Sequence, residues 1–287
     1  MTLPVVHARA ASTVMLVRDA AIDIGDRQGV AGSGSGGVEV FVLRRVSQMA
    51  FAAGMTVFPG GGVDPTDREP SIPWHGPDAS WWGARWAVDV PDARAMVVAA
   101  VRELFEETGI LLAGSDTDVV AGDPAVRESA RLDLTAHRRG LGDVLEATGH
   151  GLRADLLRPW ARWITPESEP RRYDTFFFVA ALPAGQMAQA VTTEAQHGGW
   201  ARPVDLLADA DAGRIGLMPP TRAMVADLAA AATVDEVLAS PRSLAQVAPV
   251  LHRRGEQTVA VVNGVEVGVL PTPPDAGTAS AIRDGRP

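Results

Sequence analysis

A segment that places three carboxylates within five residues, directly after an apolar run, can be accommodated by few structures. The segment is "AMVVAAVRELFEETGI", residues 95–110. On a helix at about 100° per residue, Val97, Val101, Leu104 and Phe105 share one side, which must face a core. Glu103, Glu106 and Glu107 lie within an arc of about 100° on another side. Their i, i+3 and i+4 spacings make them neighbours, and like charges so placed repel. Glu106 and Glu107 also fall in the last turn, where the helix dipole disfavours negative charge. The cluster opposes folding unless something positive sits among it. A solvated acidic face is the plain alternative. A hard divalent cation such as Mg²⁺ resolves the repulsion, because it takes oxygen ligands and tolerates bound water. Such sites suit metal-assisted phosphoryl chemistry. The helix is expected over about 93–108, with Asp92 capping its start and Gly109 ending it in the left-handed conformation.

The flanking sequence supplies a sheet. Residues 12–20 and 38–46 are rich in β-branched side chains and predict strands. Between them "GDRQGVAGSGSGG" (25–37) predicts a flexible linker. Gly32, Gly34 and Gly37 satisfy the G-x-G-x-x-G pattern, but it runs into a strand rather than opening a helix, so it is no dinucleotide fingerprint. "MTVFPGGGVD" (55–64) predicts a short strand, a proline stop and a glycine turn. Residues 65–91, dense in Pro and Trp, predict a surface excursion with its own small apolar cluster. Trp74, Trp81, Trp82 and Trp86 there either pack that excursion onto the domain or wall a ligand site. Residues 124–163 predict helix, with "WARWITP" leading into a sheet edge, and 173–182 predict a buried strand. "GGWARPVDLLADA" (198–210) predicts a strand running into a helix. A helix pair starts at Pro219 and Pro220. Asn263-Gly264 sits at the tip of a hairpin, and 272–287 predict a disordered tail.

Composition narrows the function. A chain of 287 residues with 46% apolar and 21% charged residues can bury a substantial core. Its net charge of −9, without an obvious basic stripe, argues against nucleic-acid and anionic-membrane partners. The chain holds no cysteine, so disulfides, thiolate zinc sites and cysteine nucleophiles are absent. No apolar run approaches the ~20 residues a membrane span requires. Neither a signal peptide nor a Ser-Lys-Leu terminus is visible. These features predict a cytoplasmic location.

The acid helix, read with the glycines upstream, resembles the Nudix hydrolases, whose signature is G-x5-E-x7-R-E-U-x-E-E-x-G-U with U aliphatic. Arg102, Glu103, Leu104, Glu106, Glu107, Gly109 and Ile110 match its second half, and "FPGGGVD" with Gly60, Gly61 and Gly62 its first. Gly61 and Arg102 lie 41 positions apart against 14 in the signature, an insertion of 27 residues. Counted back from Arg102, the first Glu of the box becomes Arg94, and Asp92 is expected to take over its place at the helix start. The interrupted box, with "WARWITP", "RRYDTFFF", Glu194 before Trp200, and "LMPPT", is similar to the acyl-coenzyme A diphosphatase branch.

That resemblance implies an α+β fold: an α/β/α sandwich around a mixed sheet over 10–210, a box insertion at 65–91, and a C-terminal helical and hairpin extension over 211–271. It implies Mg²⁺, with Mn²⁺ as substitute, on Glu103, Glu106, Glu107 and the Gly61 carbonyl. Glu194 is either a further ligand or a loop acid. Arg102 would hold the carboxylates, and one of the three box glutamates would act as base. Arg45, Arg171, Arg172, Gly60 and Gly61 are candidates for the diphosphate, with solvated strand ends the alternative for the arginines. The implied reaction is hydrolysis of coenzyme A or acyl-coenzyme A to 3′-phospho-AMP and (acyl-)phosphopantetheine. NADH or ADP-ribose as substrate, and a ligand sensor without turnover, are the competing readings. The C-terminal elements either complete the cleft or support a homodimer.

Overall fold

Alternation along the first strand sets the layers. In β1 (Arg9–Asp19), Val14 and Leu16 enter one buried cluster, and Met15 and Val17 enter another. Successive side chains of a strand point to opposite faces, so a continuous apolar run means burial on both sides. β2 (Val38–Arg45) repeats this, with Phe41 and Leu43 on the first face and Val38 and Val40 on the second. The computed structural model describes residues 6–20, 37–45, 54–69, 71–120, 124–190, 195–255 and 257–270. The linker with Gly32 and Gly34, Glu194, and the tail 272–287 lie outside the described residues.

The other elements follow in chain order. β3 (Met55–Val57), β4 (Gly60–Gly62) and β5 (Trp74–His75) precede α1 (Ala79–Trp86) and α2 (Val90–Thr108). Next come β6 (Ala113–Gly114), α3 (Pro124–Thr135), α4 (Leu141–Thr148) and β7 (Gly151–Arg153). β8 (Arg158–Ile164), β9 (Tyr173–Ala181) and β10 (Ala195–Ala201) then lead to α5 (Pro203–Asp211), β11 (Gly216–Leu217), α6 (Pro219–Ala229) and α7 (Val234–Ala239). β12 (Gln246–Val247), β13 (Val250–Arg254), β14 (Gln257–Val262) and β15 (Val265–Leu270) complete the described chain.

The main sheet runs β11-β3-β2-β1-β9-β8-β12, with β10 paired to β2 and β4 to β1. It is mixed: β1 and β9 run parallel, whereas β2 and β4 oppose β1. α1 and α2 cover one face, where Trp82, Trp86, Val97, Val101, Leu104 and Phe105 meet Phe176 and Phe178 of β9. α5, α6 and α7 cover the other through Leu206, Met224, Val225, Leu228, Val234 and Val237. The result is the expected α+β sandwich. β13, β14 and β15 form a separate antiparallel sheet, whose hairpin turns at Asn263 and Gly264 with φ of 49° and 80°, the pair of positive angles a tight two-residue turn requires. No described helix is long and apolar enough to cross a membrane.

Four local expectations need correction. α2 begins at Val90 after Asp89, with Pro91 in its first turn. Asp92 therefore lies inside the helix, where it accepts a hydrogen bond from Arg68 at 2.5 Å. The glycine segment is a strand rather than a turn, registered Ser12 to Gly61 against β1. Helix in 124–163 ends at Thr148, and β8 lies inside the sheet between β9 and β12. Finally, 65–91 is no peripheral excursion. Trp82 and Trp86 are fully buried, and Trp86 stands edge-on to Phe176 and Phe178 at 5.0 and 5.8 Å between ring centroids.

That last contact generates a test by urea unfolding. Trp86→Ala should cost about 3–5 kcal/mol, the range for a truncated core aromatic. The Trp86 indole N–H has no hydrogen-bond partner among the described residues, so Trp86→Phe should cost less than half as much. Trp81, half-buried with Arg85 stacked 3.6 Å over its ring, should lose only about 1 kcal/mol on truncation to Ala.

Candidate functional site

Ser12 joins the two halves of the site. Its backbone pairs with Gly61 in β4, and its buried hydroxyl donates to the Met96 carbonyl of α2 at 2.7 Å. The glycine strand and the acid helix are thereby fixed to the same point of β1. Their approach is too close for side chains. A Cβ on Gly61 would come 2.4 Å from a Glu103 carboxylate oxygen, and one on Gly60 would come 2.4 Å from the Ser12 carbonyl. The Gly60 N–H donates to Glu107 Oε2 at 2.9 Å.

Arg102 is the positive group the acid cluster requires. Its residue is only 4% exposed. Nε and Nη2 bind both oxygens of Asp67 at 2.9 Å. Nη1 reaches Glu103 Oε1 at 2.8 Å and Glu106 Oε1 at 3.4 Å. Nη2 also donates to the Gly62 carbonyl at 2.8 Å. The planar five-donor fork of guanidinium suits such a crowded acceptor set. At the end of α2, Arg131 donates to the Glu106 carbonyl at 3.1 Å, where a cation offsets the helix dipole.

Asp67 is the residue the sequence reading missed. It is 1% exposed, and it stands six positions after Gly61, where the signature's spacing puts the first acid of the box. The insertion therefore follows Asp67. Counting back from Arg102 crossed that insertion and arrived at Arg94, whose Nη2 instead donates to the Ile72 carbonyl at 2.7 Å. Asp92, on the exposed side with Arg68, does not take that place. Counting forward from Gly61 was the signal available.

Burial pushes the Glu103 carboxyl up to about 7, against the opposing pull of Arg102. Glu106 is raised as well, again chiefly by burial. Burial would lower the Arg102 pKa, but the Asp67 hydrogen bond and the charges of Glu103, Asp67 and Glu106 outweigh it and keep the guanidinium cationic. One cation thus faces Asp67, Glu103 and Glu106, with Asp64 at 3.9 Å. Among the described residues, no three His, Asp or Glu side chains stand at metal-holding spacing as arranged. The chemistry of the donor set nevertheless fits a hard cation: the acids are all-oxygen donors with unbalanced charge. Arg102 takes only one oxygen each of Glu103 and Glu106.

Asp64, Glu103, Glu106 and Glu107 line a cavity of about 700 Å³. Gly60, Gly61, Glu103, Glu106 and Glu107 form one wall, and Trp163, Phe177, Met218, Leu251 and Leu270 contribute an apolar wall opposite in chemistry. Arg45 lines it, as do Thr135 and His137 at the end of α3, which the sequence reading did not single out. Arg171 and Arg172 are not on its wall. Arg172 is buried with its donors on the Thr165 and Val6 carbonyls at 3.0 and 2.7 Å, so it ties chain segments together instead of meeting phosphate. Asp174, close to both in sequence, pairs with Arg162 at 2.7 Å.

Two stability measurements follow. Asp67→Ala should cost about 3–5 kcal/mol in urea unfolding, because it strands a buried guanidinium. Asp92→Ala, which breaks a solvent-exposed pair, should cost no more than about 1 kcal/mol. Comparable losses would remove the distinction drawn between the two acids. In chelator, folded Glu103 keeps its proton up to about 7, whereas the unfolded chain releases it near 4.3. The fold binds more protons in that window, so stability from this group falls as pH rises through it. Glu103→Gln should therefore raise Tm relative to the native chain at pH 7.5 but not at pH 4.5, read by calorimetry.

The family model described as the NUDT19 Nudix domain matches residues 83–228, just over half of the chain. The "Putative nudix hydrolase 7" of Caenorhabditis elegans is 28% identical over 181 residues, covering 63% of this chain and 52% of the relative. "Acyl-coenzyme A diphosphatase NUDT19" of Homo sapiens is 26% identical over 229 residues, covering 64% of this chain and 58% of that protein. The chain spans little more than half the length of the curated relatives it matches. Among solved structures, the NUDIX hydrolase from Alicyclobacillus acidocaldarius superposes with a TM-score of 0.65 at 26% identity, covering 83% of this chain and 98% of the other. Matched over half its length, with the acid helix docked on the glycine strand, the chain belongs to the NUDT19 Nudix domain family.

Proposed function

We propose that this protein hydrolyses a nucleoside diphosphate linked to a second group, with coenzyme A and its acyl thioesters as the substrate class. The observation that carries the reading is the two-sided cavity. Its acidic, glycine-bounded wall suits a diphosphate neutralised by a cation, and its apolar wall of Trp163, Phe177, Met218, Leu251 and Leu270 suits an apolar appendage. The similarity to proteins named acyl-coenzyme A diphosphatase points the same way.

Glu103, Glu106 and Glu107, with the Gly61 carbonyl, would hold Mg²⁺, or Mn²⁺ in its place. When bound, such an ion supplies Lewis acidity and neutralises charge on the diphosphate oxygens. The chain's own residues do the rest. Arg102 orients the Glu103 and Glu106 carboxylates without needing to touch substrate. The Gly60 N–H fixes Glu107. Arg45 lines the cavity, where a guanidinium would meet a phosphate oxygen bidentately. Water adds to one phosphorus of the diphosphate, its proton passes to a box glutamate, and the bridging P–O bond breaks. Coenzyme A would yield 3′-phospho-AMP and phosphopantetheine.

Steady-state kinetics with Mg²⁺ on coenzyme A, an acyl-coenzyme A, NADH and ADP-ribose test the proposal. The coenzyme A compounds should show the highest kcat/KM, and product analysis should recover 3′-phospho-AMP. Glu106→Gln should lower kcat about 100-fold or more, the scale for losing a group that stabilises transition-state charge. A higher kcat/KM for NADH or ADP-ribose would reassign the substrate. Near-native turnover by Glu106→Gln would remove that residue from the chemistry.

A further inference from the structure

α3, like α1, ends on a left-handed residue that is not glycine. Arg138 N–H donates to the Asp133 carbonyl at 2.9 Å, and His137 N–H donates to the Leu134 carbonyl at 2.8 Å. This is the paired bonding of a Schellman stop, whose pivot residue must be left-handed and is ordinarily glycine. The pivot here is His137, at φ of 51°. A side chain with a Cβ is strained at such an angle, and glycine would end the helix with less strain. Ala87 ends α1 at the same φ of 51°, so the angle by itself does not explain why the residue here is an imidazole.

The side chain's surroundings give it another task. His137 is exposed. It lines the large cavity together with Thr135, on the same side as Glu106. A protonated ring there would draw the Glu106 pKa down, which places the two groups near each other. The cations of that wall are few among the described residues: Arg45, Arg102 and, when charged, His137. Arg102 is buried and committed to Asp67, Glu103, Glu106 and the Gly62 carbonyl. A substrate carrying several phosphate charges needs donors beyond that arginine.

We propose that His137 is a substrate-binding residue, donating a ring N–H to a phosphate oxygen of the diphosphate from the α3 side of the cavity. Thr135 Oγ1 beside it is occupied with the Arg131 carbonyl, so the imidazole carries the contact. Either tautomer of the ring presents one N–H, so the contact needs no change of protonation. This inference rests on the hydrolase reading above.

The test is His137→Gly, chosen because it relieves the backbone rather than disturbing it. Its Tm should equal or exceed that of the native chain. Its kcat/KM for the preferred diphosphate should nonetheless fall about tenfold, mainly through KM, the scale of one hydrogen bond to a charged oxygen. His137→Asn, which tolerates the left-handed angle and restores an N–H donor, should recover part of that loss. A loss of less than about threefold in His137→Gly overturns the inference. So does a loss accompanied by a lower Tm, which would make His137 structural. If the native chain hydrolyses no nucleoside diphosphate, the hydrolase reading itself fails, and this inference falls with it. Native turnover with an unaffected His137→Gly removes His137 alone.

Discussion

The fold concentrates acids around one buried arginine, and that arrangement holds the site together. Arg102 binds Asp67 through both oxygens, reaches Glu103 and Glu106, and touches the Gly62 carbonyl. A guanidinium taken out of water is costly unless each donor is met. Here the partners come from the glycine strand, the turn of 3-10 helix after it, and the acid helix. Meeting the arginine's requirements draws those three segments together, alongside the Ser12 and Gly60 contacts.

The same arginine leaves the site short of positive charge. One cation among Asp64, Asp67, Glu103, Glu106 and Glu107 leaves an excess of negative charge, and burial raises Glu103 and Glu106 instead of letting them ionise freely. The protein spends stability to keep acids close and partly desolvated. That strain makes sense when a cation and an anionic substrate complete the balance, which is why the site's electrostatics and its function are one argument. His137 lines the same cavity near Glu106.

The insertion shows how a fold absorbs extra chain. Twenty-seven residues separate parts of the box that are normally contiguous, yet Asp67 and Arg102 still meet. α1 makes this work: Trp82 and Trp86 insert against Phe176 and Phe178 and turn the excursion into core. Arg162 then donates to the Trp86 carbonyl at 3.0 Å, clasping the insertion to β8.

Much was legible in residue order because it depends on short-range periodicity. The strand positions 14–17 and 176–180, the acid helix with Gly109 at its end, the proline-started α6 and the Asn263-Gly264 turn each follow from local stereochemistry. The acids' common face follows from helical spacing alone. Partner choice was less legible, since it is made across the sheet, and beyond the six-residue step from Gly61 to Asp67 the chain's spacing carries little record of it. Asp67 rather than Asp92 completes the arginine, because depth decides which acid is desolvated. Arg172 is consumed by backbone carbonyls while Arg45 stays on the cavity, though both looked alike as strand-end arginines. The sequence determined which residue types line up on each element, and only the tertiary structure decided which of them face one another in a low-dielectric interior, where charge pairing is settled.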